Sequence, residues 1–486
     1  MLFEYGSRIR GDGDFVKITR LVFRLGFSLA AKLIFLAFFF PVHLLASDAG
    51  AAADVALPQP ADTAPVVIQG YLSGKFVSRT TRLSGEKIRD DDIFTDLRLD
   101  ISKPVANSYE FHFFGTLRDD LSSNRNRTTF SPFEDIGDTY GSAVHGYLYE
   151  AHLDLNRPVA HVSQLRIGRQ DGTRGEPVFF DGLAADIGLT PRLAATMYGG
   201  SAVHFYESDN HWGDDVLGGL GIDYFPLAGT IINMDYLYVT DKRDVFDTTT
   251  QHDQLISLRI NQRFTPNLRA TAKVRYLNGD SRDLKLAATA TVPDMDFEMI
   301  LAYVAQFRTQ NELSNELSPY FDVLGPSYPY QSYDARVRKF FGRHLTIDLG
   351  YFQRTLVHTS QENAFNRPFH RTYAVFDLID LFVDRLTVAL TGEQWKSGQQ
   401  DVQSAGFDIG YAFKAGRRSP KINAGSYYSL YKYDYYIMLG ERTNVRTYYV
   451  KVIVPFAQKY SVNGSYEYED SLEEYQTAKL GIRYDF

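Results

Sequence analysis

A transmembrane, antiparallel, up-and-down β-barrel is the all-β fold this sequence predicts, and three observations predict it. Stretches of strand length alternate apolar and polar residues along most of the chain. The connections between those stretches fall into two interleaved classes, one tight and one generally long. No run after residue 46 is long and apolar enough to cross a bilayer as a helix. Composition agrees: 35 Phe and 33 Tyr stand against 2 Trp, and 14% of the residues are aromatic. That density suits strands with aromatic girdles at two lipid interfaces.

The N-terminus reads as an export signal. Lys17, Arg20, Arg24 and Lys32 precede the apolar run Leu33 to Ala46, which is too short to span and right for a secretory core segment. Small residues follow, and cleavage is expected after Ala49, making residues 1–49 a signal peptide and 50–65 a short Ala/Pro-rich periplasmic lead. The barrel is then expected over 66–486 with no plug domain ahead of its first strand. Removing residues 1–49 takes six basic and four acidic groups from totals of 51 and 59, leaving a net charge of -10. Nucleic acid is excluded as a partner on that balance, because phosphate binding needs clustered positive charge. With no cysteine, the chain has no disulfide, no thiolate metal site and no C-x-x-C-H for covalent haem.

The strands follow from the two-residue side-chain period. Leu97, Leu99 and Ile101 oppose Asp96, Arg98 and Asp100; Tyr149, Ala151, Leu153 and Leu155 oppose Glu150, His152 and Asp154. Ile256, Leu258 and Ile260 oppose Ser257, Arg259 and Asn261, and Leu268 to Tyr276 alternates with Arg269, Thr271, Lys273 and Arg275. The final strand runs Ala478, Leu480, Ile482, Tyr484, Phe486 on one face and Lys479, Gly481, Arg483, Asp485 on the other. Tight connections, often with proline, are expected at Lys103-Pro104, Arg157-Pro158, Thr190-Pro191, Phe225-Pro226, Thr265-Pro266, Val292-Pro293, Gly342-Arg343, Val383-Asp384, Arg418-Ser419 and Ala457-Gln458. The longer set falls near 119–143, 208–215, 241–253, 309–330, 358–371 and 431–444. Barrels inserted from the periplasm keep tight turns on that side and longer loops outside, and if both termini are periplasmic the strand number is even. Counting gives about 22 strands, within 18 to 22, beginning near Val66 and closing against the last strand. The weakest segments are 163–170 and 176–188, broken by Gly and Pro, and the Tyr-rich hairpin around 427–450.

A barrel of that width cannot be filled by wall side chains. The polar positions expected to line it carry both signs: Asp96, Arg98, Asp100, Glu150, Arg166, Arg259, Arg269, Lys273, Arg275, Asp348, Lys451 and Arg483. Mixed rows make a polar, weakly selective passage, whereas rings of one sign select ions. The stretch Arg269, Lys273, Arg275 attracts anions unless acids on neighbouring strands neutralise it, and neutralisation is the more frequent outcome for such groups. Inward folding of 119–143 or 309–330 is expected to narrow the passage.

With its export signal, its ladder of hairpins and its terminal Tyr484-Asp485-Phe486, the chain resembles Gram-negative outer-membrane porins. That resemblance implies an outer-membrane location, a wall embedded in outer-membrane lipid, and an aromatic last strand, here Tyr484 and Phe486, read by the barrel-assembly machinery. Leu165-Arg166-Ile167-Gly168-Arg169-Gln170, with Asp181-Gly182 and Tyr198-Gly199-Gly200, is similar to alginate-export-like porins, which implies passive passage of a solute or polymer. The chain also resembles the cysteine-free barrels of porin-cytochrome conduits, whose partners are periplasmic and extracellular multihaem cytochromes; that sheath role is the alternative. An outer-membrane hydrolase is disfavoured. The 11 histidines are scattered, neither G-x-S-x-G nor H-E-x-x-H occurs, and no catalytic residue, cofactor or metal cluster is discernible from spacing.

Overall fold

A computed structural model describes residues 66–486 except 84, 104–107, 123–132, 134–142, 173–177, 204–212, 243–249, 310–327, 364–365, 381–382, 399, 417 and 435–439. The described residues form 22 strands. In order these are β1 (Val67–Leu83), β2 (Glu86–Ser102), β3 (Tyr109–Asp120), β4 (Val144–Val159), β5 (Val162–Gly172), β6 (Val178–Thr190), β7 (Leu193–Ala202) and β8 (Val216–Tyr224). Next come β9 (Thr230–Lys242), β10 (Thr250–Thr265), β11 (Leu268–Leu277), β12 (Asp280–Val292), β13 (Phe297–Gln306), β14 (Tyr330–Phe341) and β15 (Leu345–Leu356). The last seven are β16 (Phe369–Ile379), β17 (Leu386–Ser397), β18 (Gln400–Ala412), β19 (Lys421–Asp434), β20 (Gly440–Phe456), β21 (Tyr460–Asp470) and β22 (Tyr475–Asp485).

Each strand pairs antiparallel with its sequence neighbours, and β1 pairs with β22 from Tyr71↔Asp485 to Thr81↔Tyr475. The sheet is therefore closed, and no edge is left to lipid, where an unpaired backbone group would have no water to bond. Twenty-two strands about 4.8 Å apart and tilted about 40° make a circular barrel roughly 44 Å across. Pro104 lies outside the described residues; the other expected tight turns lie where the sequence puts them, with one shift. β4 runs through Arg157-Pro158 to Val159, and the reversal falls at Ala160-His161. Arg157 and His161 both take positive φ (52° and 68°), so the proline sits in an irregular strand end instead of the turn. Asn278-Gly279 makes a two-residue hairpin turn with φ 51° and 88°, as this dipeptide favours.

Crowding tells the two faces of the closed sheet apart, since side chains converge on the concave side and splay on the convex side. Asp92, Asp154, Asp283 and Glu393 are all less than 9% exposed. Leu72, Leu97, Leu183 and Leu480, at alternate positions, are 37–59% exposed. The charged rows are therefore concave and most Leu/Ile/Val rows convex, as a barrel surrounded by lipid requires, while Leu217, Leu237, Val239, Leu255 and Leu277 form a buried apolar cluster on the concave side.

The two segments that glycine and proline interrupt are strands, β5 and β6, and their glycines have a structural use. Gly168, Gly182 and Gly200 stand in register across β5, β6 and β7. A Cβ on Gly182 would meet the Gly199 carbonyl at 2.1 Å, and Gly168 has φ +123°. Only glycine allows this close approach of backbones. At the next register position, Arg169 and Asp181 form a bidentate ion pair at 2.7 and 2.6 Å.

Candidate functional site: the concave wall and its mouth

Strand register, which only the fold supplies, puts the sequence-picked residues side by side. On β1 to β4, Asp96 accepts from Ser73 (3.0 Å) and Thr116 (2.9 Å), and Arg98 pairs with Asp100 (3.2 Å). Glu150 stands in register with Phe114. A register shift at Phe114/Gly115 makes Tyr149 an extra residue, and its ring stacks on Phe114 at 5.1 Å. Tyr149 thus joins the concave face, against the alternation that put it outside; the bulge is the reason.

Arg166 holds Asp154 with two bonds, at 2.7 and 3.0 Å. Arg338 of β14 holds Asp348 of β15 in the same bidentate way, at 2.6 and 2.8 Å. Lys451 lies 3.5 Å from Glu467, and Arg483 bonds Asp485 at 2.7 Å while its guanidinium lies over Tyr71. The exposed pairs contribute at most about 1 kcal/mol each. Pairing across strands at Arg166, Asp348 and Lys451, and within a strand at Arg98–Asp100 and Arg483–Asp485, therefore neutralises many of the charges that the alternation exposed.

Of the basic stretch on β11, Arg275 is neutralised: its Nε lies 2.9 Å from both oxygens of Asp283, and both residues are buried. Asp283→Ala removes the carboxylate opposite a buried guanidinium, and should lower barrel stability by about 3 kcal/mol. Urea unfolding of the barrel folded into vesicles measures this; an unshifted midpoint would refute it. Arg259, Lys273 and Lys285 form a cationic row across β10, β11 and β12 through the register Arg259↔Lys273↔Lys285. Arg269 sits below them opposite Arg263, toward the tight-turn end.

The mouth holds two inward elements. β18 pairs with β19 only from Phe407↔Ser426 to Ala412↔Lys421, although it pairs with β17 along Leu386 to Ser397. Above that point the β19–β20 hairpin leaves the wall and crosses the concave side of β18. Tyr431 Oη donates to Ser397 Oγ at 2.7 Å, its ring meets Phe369 edge-on, and Tyr428 meets Trp395 edge-on. On the hairpin's other side, Arg442 donates to Glu469 (2.5 Å) and covers the Tyr475 ring, and Lys432 also bonds Glu469. The hairpin therefore bridges the β16–β17 wall and the β21–β22 wall. Arg446 donates to the Ala405 carbonyl, which β19 has vacated. From the β3–β4 connection, Phe133 packs against Ile88 and Tyr475, all three buried. An inward 119–143 was expected, and Phe133 is its anchor among the described residues; most of 309–330, the other candidate, lies outside them.

No family model matches the sequence, and no curated protein does. Solved structures do match. The P pilus usher (PapC) translocation pore superposes with TM-score 0.47 at 10% identity over 85% of this chain and 99% of that one. Acinetobacter baumannii OccAB4 gives 0.41 at 10% identity over 86% and 98%, and Pseudomonas aeruginosa OpdQ gives 0.40 at 12% over 87% and 97%.

Two groups escaped the sequence reading. The buried cluster Arg79, Arg118, Asp90, Asp92 joins β1, β2 and β3, with Arg79 3.0 Å and Arg118 2.8 Å from Asp92. His112 and His152 stack at 4.9 Å, in register on β3 and β4 and 40 positions apart in sequence. Spacing along the chain carries no trace of such a pairing; a register assignment for β3 and β4 would have found it.

Proposed function

We propose that the barrel is a passive diffusion channel of a bacterial outer membrane, with a polar lumen of mixed charge and a mouth narrowed by the β19–β20 hairpin and Phe133. The observation that carries this reading is the closed 22-strand sheet whose concave face is charged and whose convex face is apolar. The twelve polar residues singled out from sequence, from Asp96 to Arg483, line the passage. Most are paired, so selectivity is weak. The Arg259–Lys273–Lys285 row, with Arg269 below it, biases one side of the wall toward anionic solutes.

Purified full-length protein in planar bilayers should give discrete conductance steps, and an electrically silent, correctly folded barrel would overturn the channel. Under a salt gradient, Lys273→Glu combined with Lys285→Glu should move the anion-to-cation permeability ratio toward cations by about twofold. An unmoved reversal potential would remove the anion bias while leaving the channel standing.

A further inference from the structure

On the concave face of β3, β4 and β5, toward the tight-turn end, two imidazoles and the Asp154 carboxylate converge. Register pairs His112 with His152 and Glu110 with Asp154, and Asp100 of β2 stands beside His112. His152 and Asp154 are buried. We propose that His112, His152 and Asp154, whose candidate ligand atoms all lie within 4.8 Å of one another, bind a divalent transition-metal cation of the zinc, nickel or copper class, with Glu110 beside His112.

The tautomers point there first. His152 Nδ1 lies 3.2 Å from the Arg169 carbonyl, which can only accept, so Nδ1 carries the proton. His112 Nδ1 lies 2.7 Å from the Asp100 carboxylate, which likewise accepts. Both Nε2 atoms are thereby left as the remaining ring nitrogens, and both face carboxylates. His112 Nε2 is 3.6 Å from Glu110 Oε2 and 3.9 Å from Asp154 Oδ2, and His152 Nε2 is 3.9 Å from Asp154 Oδ1.

Those separations are too long for hydrogen bonds. Ligands about 2.1 Å from a tetrahedral cation stand about 3.4 Å apart, close to what is seen. A neutral Nε2 whose lone pair is aimed at a carboxylate oxygen is repelled by it, and a bound cation, like a proton, reverses the sign. The outer contacts match those that orient ligating histidines, in which the second ring nitrogen donates to a carboxylate or a backbone carbonyl.

Asp154 is itself oriented by Arg166 and by Gln164 (2.9 Å). A carboxylate offers about four acceptor positions, so these bonds leave it capacity for a metal. Asp100, Glu110 and Asp154 outnumber Arg98 and Arg166, which makes the pocket attractive to a dication. Imidazole suits zinc, nickel and copper, whereas calcium and magnesium prefer all-oxygen cages.

The test is calorimetric titration of the full-length, chelator-stripped barrel with Zn²⁺ alone. One ion per chain should bind at micromolar affinity or tighter, and His112→Gln or His152→Gln should each weaken it by about tenfold or more. His344→Gln, at a tight turn remote from the cluster, should change nothing. If a variant fails to assemble, Cu²⁺ electron paramagnetic resonance on the unmodified protein decides the matter through coupling to two imidazole nitrogens. Absence of stoichiometric binding, binding indifferent to both cluster substitutions, or a copper spectrum without nitrogen coupling each overturns the site. None of these outcomes bears on conductance, so the metal site and the channel stand or fall separately.

Discussion

Deletion of Phe486 is expected to reduce assembled protein in cell envelopes on the order of tenfold, while costing the folded barrel little. The Phe486 amide donates to the Gly70 carbonyl at 3.1 Å, and its ring lies beside Tyr484 and so close over Gly70 that a Cβ there would come within 2.8 Å of it. Losing one such hydrogen bond and one aromatic contact costs about 2 kcal/mol together. The rest of the β1–β22 seam, from Tyr71↔Asp485 to Thr81↔Tyr475, is untouched. Heat-modifiable migration of envelope protein, set beside urea midpoints for barrels refolded into vesicles, separates recognition from stability. Unchanged envelope levels would remove Phe486 as an assembly signal. Equal collapse in both assays would make its role structural instead.

Release of the β19–β20 hairpin is the second large effect. Tyr428→Ala with Tyr431→Ala removes the Ser397 hydrogen bond and both edge-on contacts to Phe369 and Trp395. Arg442→Ala removes a donor to buried Glu469 and the cover over Tyr475. The combined variant, with Lys432→Ala added to remove the second donor to Glu469, leaves Arg446 on the Ala405 carbonyl as the described tie at the hairpin's base, and single-channel conductance should rise by about twofold with larger current noise. The β17–β18 ladder and the lower β18–β19 ladder, Phe407↔Ser426 to Ala412↔Lys421, remain, so the wall should stay closed. Unchanged conductance in the folded combined variant would show that the narrowest passage lies elsewhere.

Much of the fold is legible in the chain because a barrel strand has only two faces and a fixed period. Leu97/Arg98, Leu258/Arg259 and Leu480/Lys479 each declare a strand and its orientation without any partner. Turn chemistry did the rest at Thr190-Pro191, Phe225-Pro226 and Asn278-Gly279. The alternation failed where the backbone departs from ideal pleating. Tyr149 sits in a bulge, Arg157-Pro158 in an irregular strand end, and the upper β19–β20 hairpin leaves the wall altogether.

The pore candidates were legible as polar positions and illegible as chemistry. Arg275 and Lys273 are two residues apart in the same strand and share a face. One is locked against Asp283, and the other stands in a row with Arg259 and Lys285. That difference depends on which strand lies alongside and in what register, a matter of hydrogen-bond pairing between segments. The same holds for His112 and His152.

By itself, then, the sequence determined the class of wall, the number of strands and, away from bulges, the side most strand residues show, since these follow from side-chain period and turn residues within a few positions of one another. Tertiary structure alone decided which charges cancel, which imidazoles meet, and that one hairpin bends across the mouth. Those outcomes turn on which residues the strand register sets opposite one another, from 8 positions apart at Arg275–Asp283 to 40 at His112–His152, and alternation within one strand does not encode that register.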